Sequence, residues 1–318
     1  MKKIEIKRIF VAFAFVAMAM MALGGSAFVQ GQVIYNSIPS PLPGNVSSIA
    51  FESTSADEFG DRIVFSAGSG RKLVSATQTM SSWGCEAGNV ISLNCFTTPG
   101  ETFSHQITLN IYNVGTNHLP GSLIDSVTQT FDIPYRPSAD NVNCTGEDAG
   151  KWLHGTTCYS GFATNITFDL TAANITVPTE VIYSIAYNTT TSGNAPIGGG
   201  ATCLSSAGGC GYDSLNVGLQ GVATVGANFD PNDVWWDTAI ANFYLDGGTN
   251  GIDIFRRDSP VAAENWAGFQ PAVSFTVFSD VPASKDQCKN GGWQARTRAD
   301  GSTFVDQGSC ISYVNAVQ

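Results

Sequence analysis

Apolar and polar residues alternate with a period of two along most of this chain, and no stretch of similar length repeats with a helical period. In Ile107-Thr108-Leu109-Asn110-Ile111-Tyr112 every second side chain is aliphatic. Successive side chains of a strand point to opposite faces, so this segment fits a sheet with one buried face. Val181 to Tyr187 and Ala272 to Phe278 are rich in the β-branched and aromatic residues that strands favour. Further strands are expected over Asp61–Phe65, Lys72–Met80, Ser126–Ile133, Ala163–Leu170, Leu215–Val222, Ile240–Leu245 and Ile252–Phe255, separated by Gly, Asn, Pro and Ser clusters. About ten short strands over roughly 250 residues predict an all-β fold. The expected architecture is a single large antiparallel β-sandwich, jelly-roll-like, with a small disulfide-closed C-terminal appendage.

The first 27 residues read as a secretory signal peptide. Lys2, Lys3, Lys7 and Arg8 form a basic start, Ile9 to Leu23 an apolar run, and Gly25-Ser26-Ala27 a small-residue cleavage site. A retained anchor is the alternative, but the run falls short of the about 20 residues a span needs. Leu23-Gly24-Gly25-Ser26 has serine where a lipoprotein signal needs cysteine. The expectation is a secreted, extracellular protein with no membrane span after signal cleavage, and the Met-Lys-Lys start has a bacterial look. Removing the leader changes the formal charge from −11 to −14. Such an acidic chain lacks the basic surface that neutralises phosphates, so nucleic acid is excluded as a partner. With 43% hydrophobic residues the chain can bury a core, which excludes disorder. Asn45, Asn143, Asn165, Asn174 and Asn188 begin Asn-x-Ser/Thr sequons, which either accept glycans or occur by chance in an Asn- and Thr-rich chain.

Eight cysteines in a secreted chain predict disulfides. Their spacing suggests neighbour pairs Cys85–Cys95, Cys144–Cys158, Cys203–Cys210 and Cys288–Cys310. No CxxC spacing supports a metal or redox site. Residues 28–280 carry a net charge of −15 and residues 281–318 a net +1, so the last segment reads as a separate unit after Val281-Pro282-Ala283-Ser284.

Motifs for catalysis are absent. His105, His118 and His154 are far apart, and no HExxH, GxSxG or P-loop pattern occurs. His105 stands where a strand begins and reads as half-exposed. Asp57, Glu58 and Asp61, or Asp230, Asp233 and Asp237, could supply a glycosidase pair, although solvated carboxylates explain them equally. Asp230, Asn232 and Asp233, and Asp246, Asn250 and Asp253, are candidate calcium ligands, for which Asx turns are the metal-free alternative. Trp235 and Trp236 beside Asp237, with Trp266, could form a sugar platform. In a strand the two adjacent rings point to opposite faces, so one could lie in the core and the other outside; packing of both into the core is the alternative.

Two groups of residues carry a resemblance. Pro41-Leu42-Pro43-Gly44-Asn45-Val46, Glu58-Phe59-Gly60-Asp61 and Met80-Ser81-Ser82-Trp83-Gly84-Cys85 are followed by Ile133-Pro134-Tyr135-Arg136-Pro137-Ser138, Val181 to Asn188 and Tyr212-Asp213-Ser214-Leu215-Asn216-Val217. In pattern and order they resemble an uncharacterised family of secreted bacterial β-sandwich proteins. Cys288-Lys289-Asn290-Gly291-Gly292-Trp293, Gln307-Gly308-Ser309-Cys310 and Ser312-Tyr313-Val314 are similar to a short element that ends many secreted bacterial proteins. The resemblance implies a secreted location and a β-rich body, and brings no activity or site residues. The function expected is a non-catalytic extracellular module binding a surface glycan or another extracellular partner, such as a surface protein. A structural surface or matrix component, and a secreted polysaccharide hydrolase with an Asp/Glu pair, are the alternatives.

Overall fold

The structure, a computed structural model, describes residues 31–66, 71–88, 92–187, 215–220, 222–278, 280–282, 284–298 and 302–317. The leader, Asn188 and the expected Cys203–Cys210 pair lie outside these residues. The strands in chain order are β1 (Gly31–Asn36), β2 (Ser48–Ile49), β3 (Ala56–Val64), β4 (Arg71–Ser82), β5 (Thr102–Val114), β6 (Pro120–Pro134), β7 (Trp152–His154) and β8 (Thr157–Tyr159). They continue as β9 (Phe162–Asp169), β10 (Thr176–Val177), β11 (Glu180–Tyr187), β12 (Leu215–Gly218), β13 (Ala227–Asn228), β14 (Val234–Thr238), β15 (Arg256–Asp258) and β16 (Val273–Phe278).

Two antiparallel sheets pack face to face. One runs β1-β16-β4-β12-β2, with β9 and β10 also paired to β4. The other runs β15-β14-β3-β11-β5-β6, with β13 also paired to β3. The alternation read in β5 sets its faces: Phe103, Ile107, Leu109 and Ile111 are buried, while Asn110 and Tyr112 face outward. Rings from both sheets meet in the core, Tyr183 against Phe275 at 5.3 Å and Phe131 against Phe168 at 4.9 Å. An edge contact joins the sheets as well. Gln129 Nε2 donates to the Asp169 carbonyl at 2.7 Å, and Asp169 N–H donates back to Gln129 Oε1 at 3.1 Å. The side-chain amide thereby occupies backbone groups that a free edge would leave open.

Among the described residues three disulfides are formed, Cys85–Cys95, Cys144–Cys158 and Cys288–Cys310. Loops of this size contribute about 2–3 kcal/mol each in the chain-entropy description. The last one closes a second, small core of Cys288, Phe304, Cys310 and Val314. No described helix is long and apolar enough to cross a membrane.

The expected strands at two positions and the expected exposure of His105 need correction. Ile240–Leu245 and Ile252–Phe255 are not strands. Tyr244 turns the chain here: its hydroxyl accepts the Thr238 N–H and donates to the Ile254 carbonyl, both at 3.1 Å. The segment therefore folds as a short 3-10 turn over Ala241–Phe243. Beside the sheets, Phe51–Thr54 forms a single turn, α1, and Gln307–Val317 forms α2. Finally, His105 is buried at 1% exposure, because it falls on the inward side of β5.

Gly60 in β3 pairs with Ser184 of β11 and Trp235 of β14. A Cβ at Gly60 would come within 1.8 Å of the Tyr183 carbonyl oxygen, so β3 and β11 approach here only because the side chain is missing. Gly60→Ala is expected to cost about 3 kcal/mol or more, read as a lower midpoint in denaturant unfolding.

Candidate functional site

The region that the tryptophans singled out is built by β14 and β15 beside β3. Alternation separates Trp235 from Trp236 as a strand requires. Trp236 points between the sheets, where its ring meets Phe59 at 6.0 Å, Tyr244 at 5.3 Å and Trp266 at 5.4 Å. Trp235 points to the outer face, but its Nε1 donates to the His118 carbonyl at 2.8 Å and the turn after β5 covers it. The two residues are 0% and 1% exposed. A sugar platform needs an open ring, and neither offers one. Trp266 is half-buried against the core, with its N–H directed inward.

That inward direction has one target. Asp258 is completely buried, and its Oδ2 accepts Trp236 Nε1 at 3.1 Å and Trp266 Nε1 at 3.0 Å. The Leu245 N–H donates to the same carboxylate, at 3.1 and 3.2 Å from its two oxygens. Burial raises the Asp258 pKa; the donors and Arg256 oppose that shift.

On the outer face the carboxylates divide into two groups. Asp230 pairs with Arg62 at 2.9 Å and lies 3.4 Å from His118 Nδ1; Asp233 pairs with Arg257; Asp246 pairs with Arg256 at 2.8 Å. These are among the expected calcium ligands, and each of the three carboxylates is ion-paired to an arginine. Asp246 also accepts Gly248 N–H and Asn250 Nδ2, so it shapes a turn. Asn232 contributes its backbone carbonyl to Trp266 N–H. Asp253 lies near Asp57 and Asp237. Among the described residues no group of three or more His, Cys, Asp or Glu is arranged to hold a metal.

The second group has no arginine. Asp237 stands directly opposite Glu58 across β14 and β3. Glu58 Oε1 accepts Asn110 Nδ2 at 2.7 Å, Tyr112 hydroxyl at 2.8 Å and the Ser184 hydroxyl. Asp237 is left with a buried Oδ1 that no donor reaches. Its pKa is pushed up to about 6, first by burial and then by Asp57, Asp253 and Glu58. Asp61, the remaining member of the sequence cluster, faces the core. It accepts the Arg62 N–H at 2.7 Å and Asn228 Nδ2 at 2.6 Å, and burial raises its pKa well above the usual range. Among the described residues none of the three histidines bonds both a hydroxyl and a carboxylate. His105 donates Nδ1–H to the Gln106 carbonyl at 2.9 Å, and burial lowers its pKa to about 4.

Beside these groups a cleft of about 570 Å³ opens on the outer face, lined by Leu119, Pro120, Asn250, Ile254, Phe255, Arg256, Arg257 and Ser259. Its apolar side is formed by Leu119 and Ile254, each 47% exposed, and by Phe255, whose ring stacks on Tyr112 at 5.3 Å. Its polar side differs at the two arginines. Arg256 is spent: Nε goes to the Gly251 carbonyl, Nη1 to the Arg257 carbonyl and Nη2 to Asp246. Among the described residues Arg257 gives only Nε and Nη2, both to Asp233, and its side chain is 29% exposed. Five N–H groups fan out from a guanidinium, so its Nη1 side stays open for a planar acceptor. Of the residues that line the cleft, the sequence marks Asn250 alone as a candidate ligand. The available signal was Arg256-Arg257-Asp258, two cations and an acid after an apolar run.

Comparison with known proteins returns no matching family model, curated protein or solved structure.

Two predictions follow from the buried carboxylates. Asp258→Ala strands two indole N–H groups and one backbone N–H, and should cost about 3–5 kcal/mol with a red shift of tryptophan fluorescence; Asp258→Asn, which keeps an acceptor, should cost less. Asp61 and Asp237 have folded pKa values above the ordinary 3.8. A raised acid binds protons more tightly when folded, so its contribution is present below the unfolded value and is lost as pH rises through the folded one. The melting temperature should thus be higher near about pH 5 than near about pH 7.5, and Asp61→Asn should flatten that difference. Asn228 can accommodate the amide by turning its unpaired Oδ1 toward it.

Proposed function

We propose that this chain is a secreted, non-catalytic extracellular module, and that the cleft beside Phe255 and Arg257 binds a segment of a surface glycan bearing carboxylates. The observation that carries the reading is the half-used guanidinium of Arg257 opposite an exposed apolar wall. A uronic acid presents a carboxylate for the open Nη1 edge and an apolar ring face for Phe255, while Ser259 and Asn250 face its hydroxyls. The leader pattern and the three disulfides support an extracellular setting. Asp233 and Asp246 already neutralise the two arginines, so a net negative protein presents a locally balanced site here rather than a basic patch.

The test is calorimetric titration with oligogalacturonate and with its methyl ester, preceded by a glycan-array screen. Binding to the acid, lost on esterification and weakened about tenfold or more in Arg257→Gln and in Phe255→Ala, is the expected result. Absence of binding to any glycan would remove the reading.

One observation favours a second reading, a polysaccharide hydrolase. Asp237, raised to about 6, faces Glu58 across the β14–β3 pair, which puts an acid that holds its proton at mildly acidic pH beside a second carboxylate. Release of reducing ends from polysaccharide, abolished in Asp237→Asn, would establish it; no release from any substrate that binds would dismiss it.

A further inference from the structure

The chain contains two Asn-Gly sequences, Asn250-Gly251 and Asn290-Gly291. Glycine after asparagine leaves the following amide nitrogen unshielded, and the pair is the most prone of all to close into a five-membered imide. Both asparagines are exposed, so access of water does not distinguish them. Their hydrogen bonds do. At the first, Asn250 Nδ2 donates to Asp246 Oδ2 at 2.8 Å, and the attacking nitrogen, Gly251 N–H, donates to the Gly248 carbonyl at 3.0 Å. Both reacting groups are held away from one another. At the second, neither the Asn290 side chain nor the Gly291 N–H has a hydrogen-bond partner among the described residues, and both residues already occupy left-handed backbone, at φ of 52° and 83°.

We infer that Asn290 is a spontaneous deamidation site, placed in the turn that follows Cys288, and that the fold protects Asn250. The Gly291 nitrogen gives up its proton and attacks Asn290 Cγ. The new N–Cγ bond forms as the Cγ–Nδ2 bond breaks, and ammonia leaves carrying a proton. Water then opens the imide at either carbonyl, giving aspartate or isoaspartate. One water is consumed and one ammonia released, with no oxidant or reductant. The change turns the net +1 of residues 281–318 into zero. The isoaspartyl product also lengthens the backbone of a turn that packs closely on the preceding segment: a Cβ at Gly292, two residues on, would sit 2.3 Å from the Gln287 carbonyl oxygen. The small C-terminal unit therefore carries a slow change of charge and shape independent of the cleft.

The experiment incubates the intact, disulfide-bonded protein at mildly alkaline pH and follows both sites by peptide mapping and mass spectrometry. The peptide containing Asn290 should convert about tenfold faster or more than the peptide containing Asn250, as expected when two hydrogen bonds restrain one site. In reduced, denatured protein the two rates should converge, and Asn290→Gly should remove the fast conversion while leaving the melting temperature unchanged. Equal rates in the folded protein, or faster conversion at Asn250, would overturn the inference.

Discussion

The carboxylate of Asp258 is the interaction around which one end of the molecule is assembled. It lies in the core with no exposure, and its donors come from three separate segments: β14 through Trp236, the loop at Leu245 and the loop at Trp266. A buried carboxylate is tolerated only when such donors surround it, and each donor in turn would be orphaned without it. The consequence reaches the surface through alternation. A strand that sends Asp258 inward must send its neighbour Arg257 outward, opposite Trp235 of β14. One three-residue strand thus anchors the core and aims the guanidinium into the cleft.

The same logic distributes the charge. The chain is strongly acidic, yet the carboxylates near the cleft are matched by Arg62, Arg256 and Arg257, and the unmatched set of Asp57, Glu58, Asp237 and Asp253 is concentrated on the neighbouring part of the sheet. Burial and mutual repulsion make part of that set reluctant to ionise. The face therefore offers two chemically distinct zones side by side: a neutral, half-apolar cleft with one open cationic edge, and an acid-rich strip that holds protons at mildly acidic pH.

Where one face of a strand was buried, the sequence was readable. β5 follows its alternation, with Phe103, Ile107, Leu109 and Ile111 buried between more exposed neighbours, and β11 forms where β-branched and aromatic residues cluster. Reading failed where both faces are covered or where charge is buried. Val234-Trp235-Trp236-Asp237-Thr238 shows no alternation because a turn covers its outer side, and Arg256-Arg257-Asp258 looks like a loop although two of its three residues are buried. Ile240 and Phe243 looked like strand residues, but Tyr244 bends the chain and leaves them at the surface. α2 carries no strong amphipathic signal because a disulfide and a few apolar contacts fix it. The cleft was invisible for a related reason: it joins Leu119 and Pro120 to residues more than a hundred positions away, and only the packing of the turn over Trp235 brings them together.

Hydrogen exchange of the indole N–H groups, followed by NMR, tests the role of Asp258 most directly. If both indoles are tied to one buried carboxylate, the Trp236 and Trp266 signals should exchange only through global unfolding, with protection equal to that of the core amides of β3 and β11. Fast exchange at Trp236 or Trp266, with those amides still protected, would contradict the account.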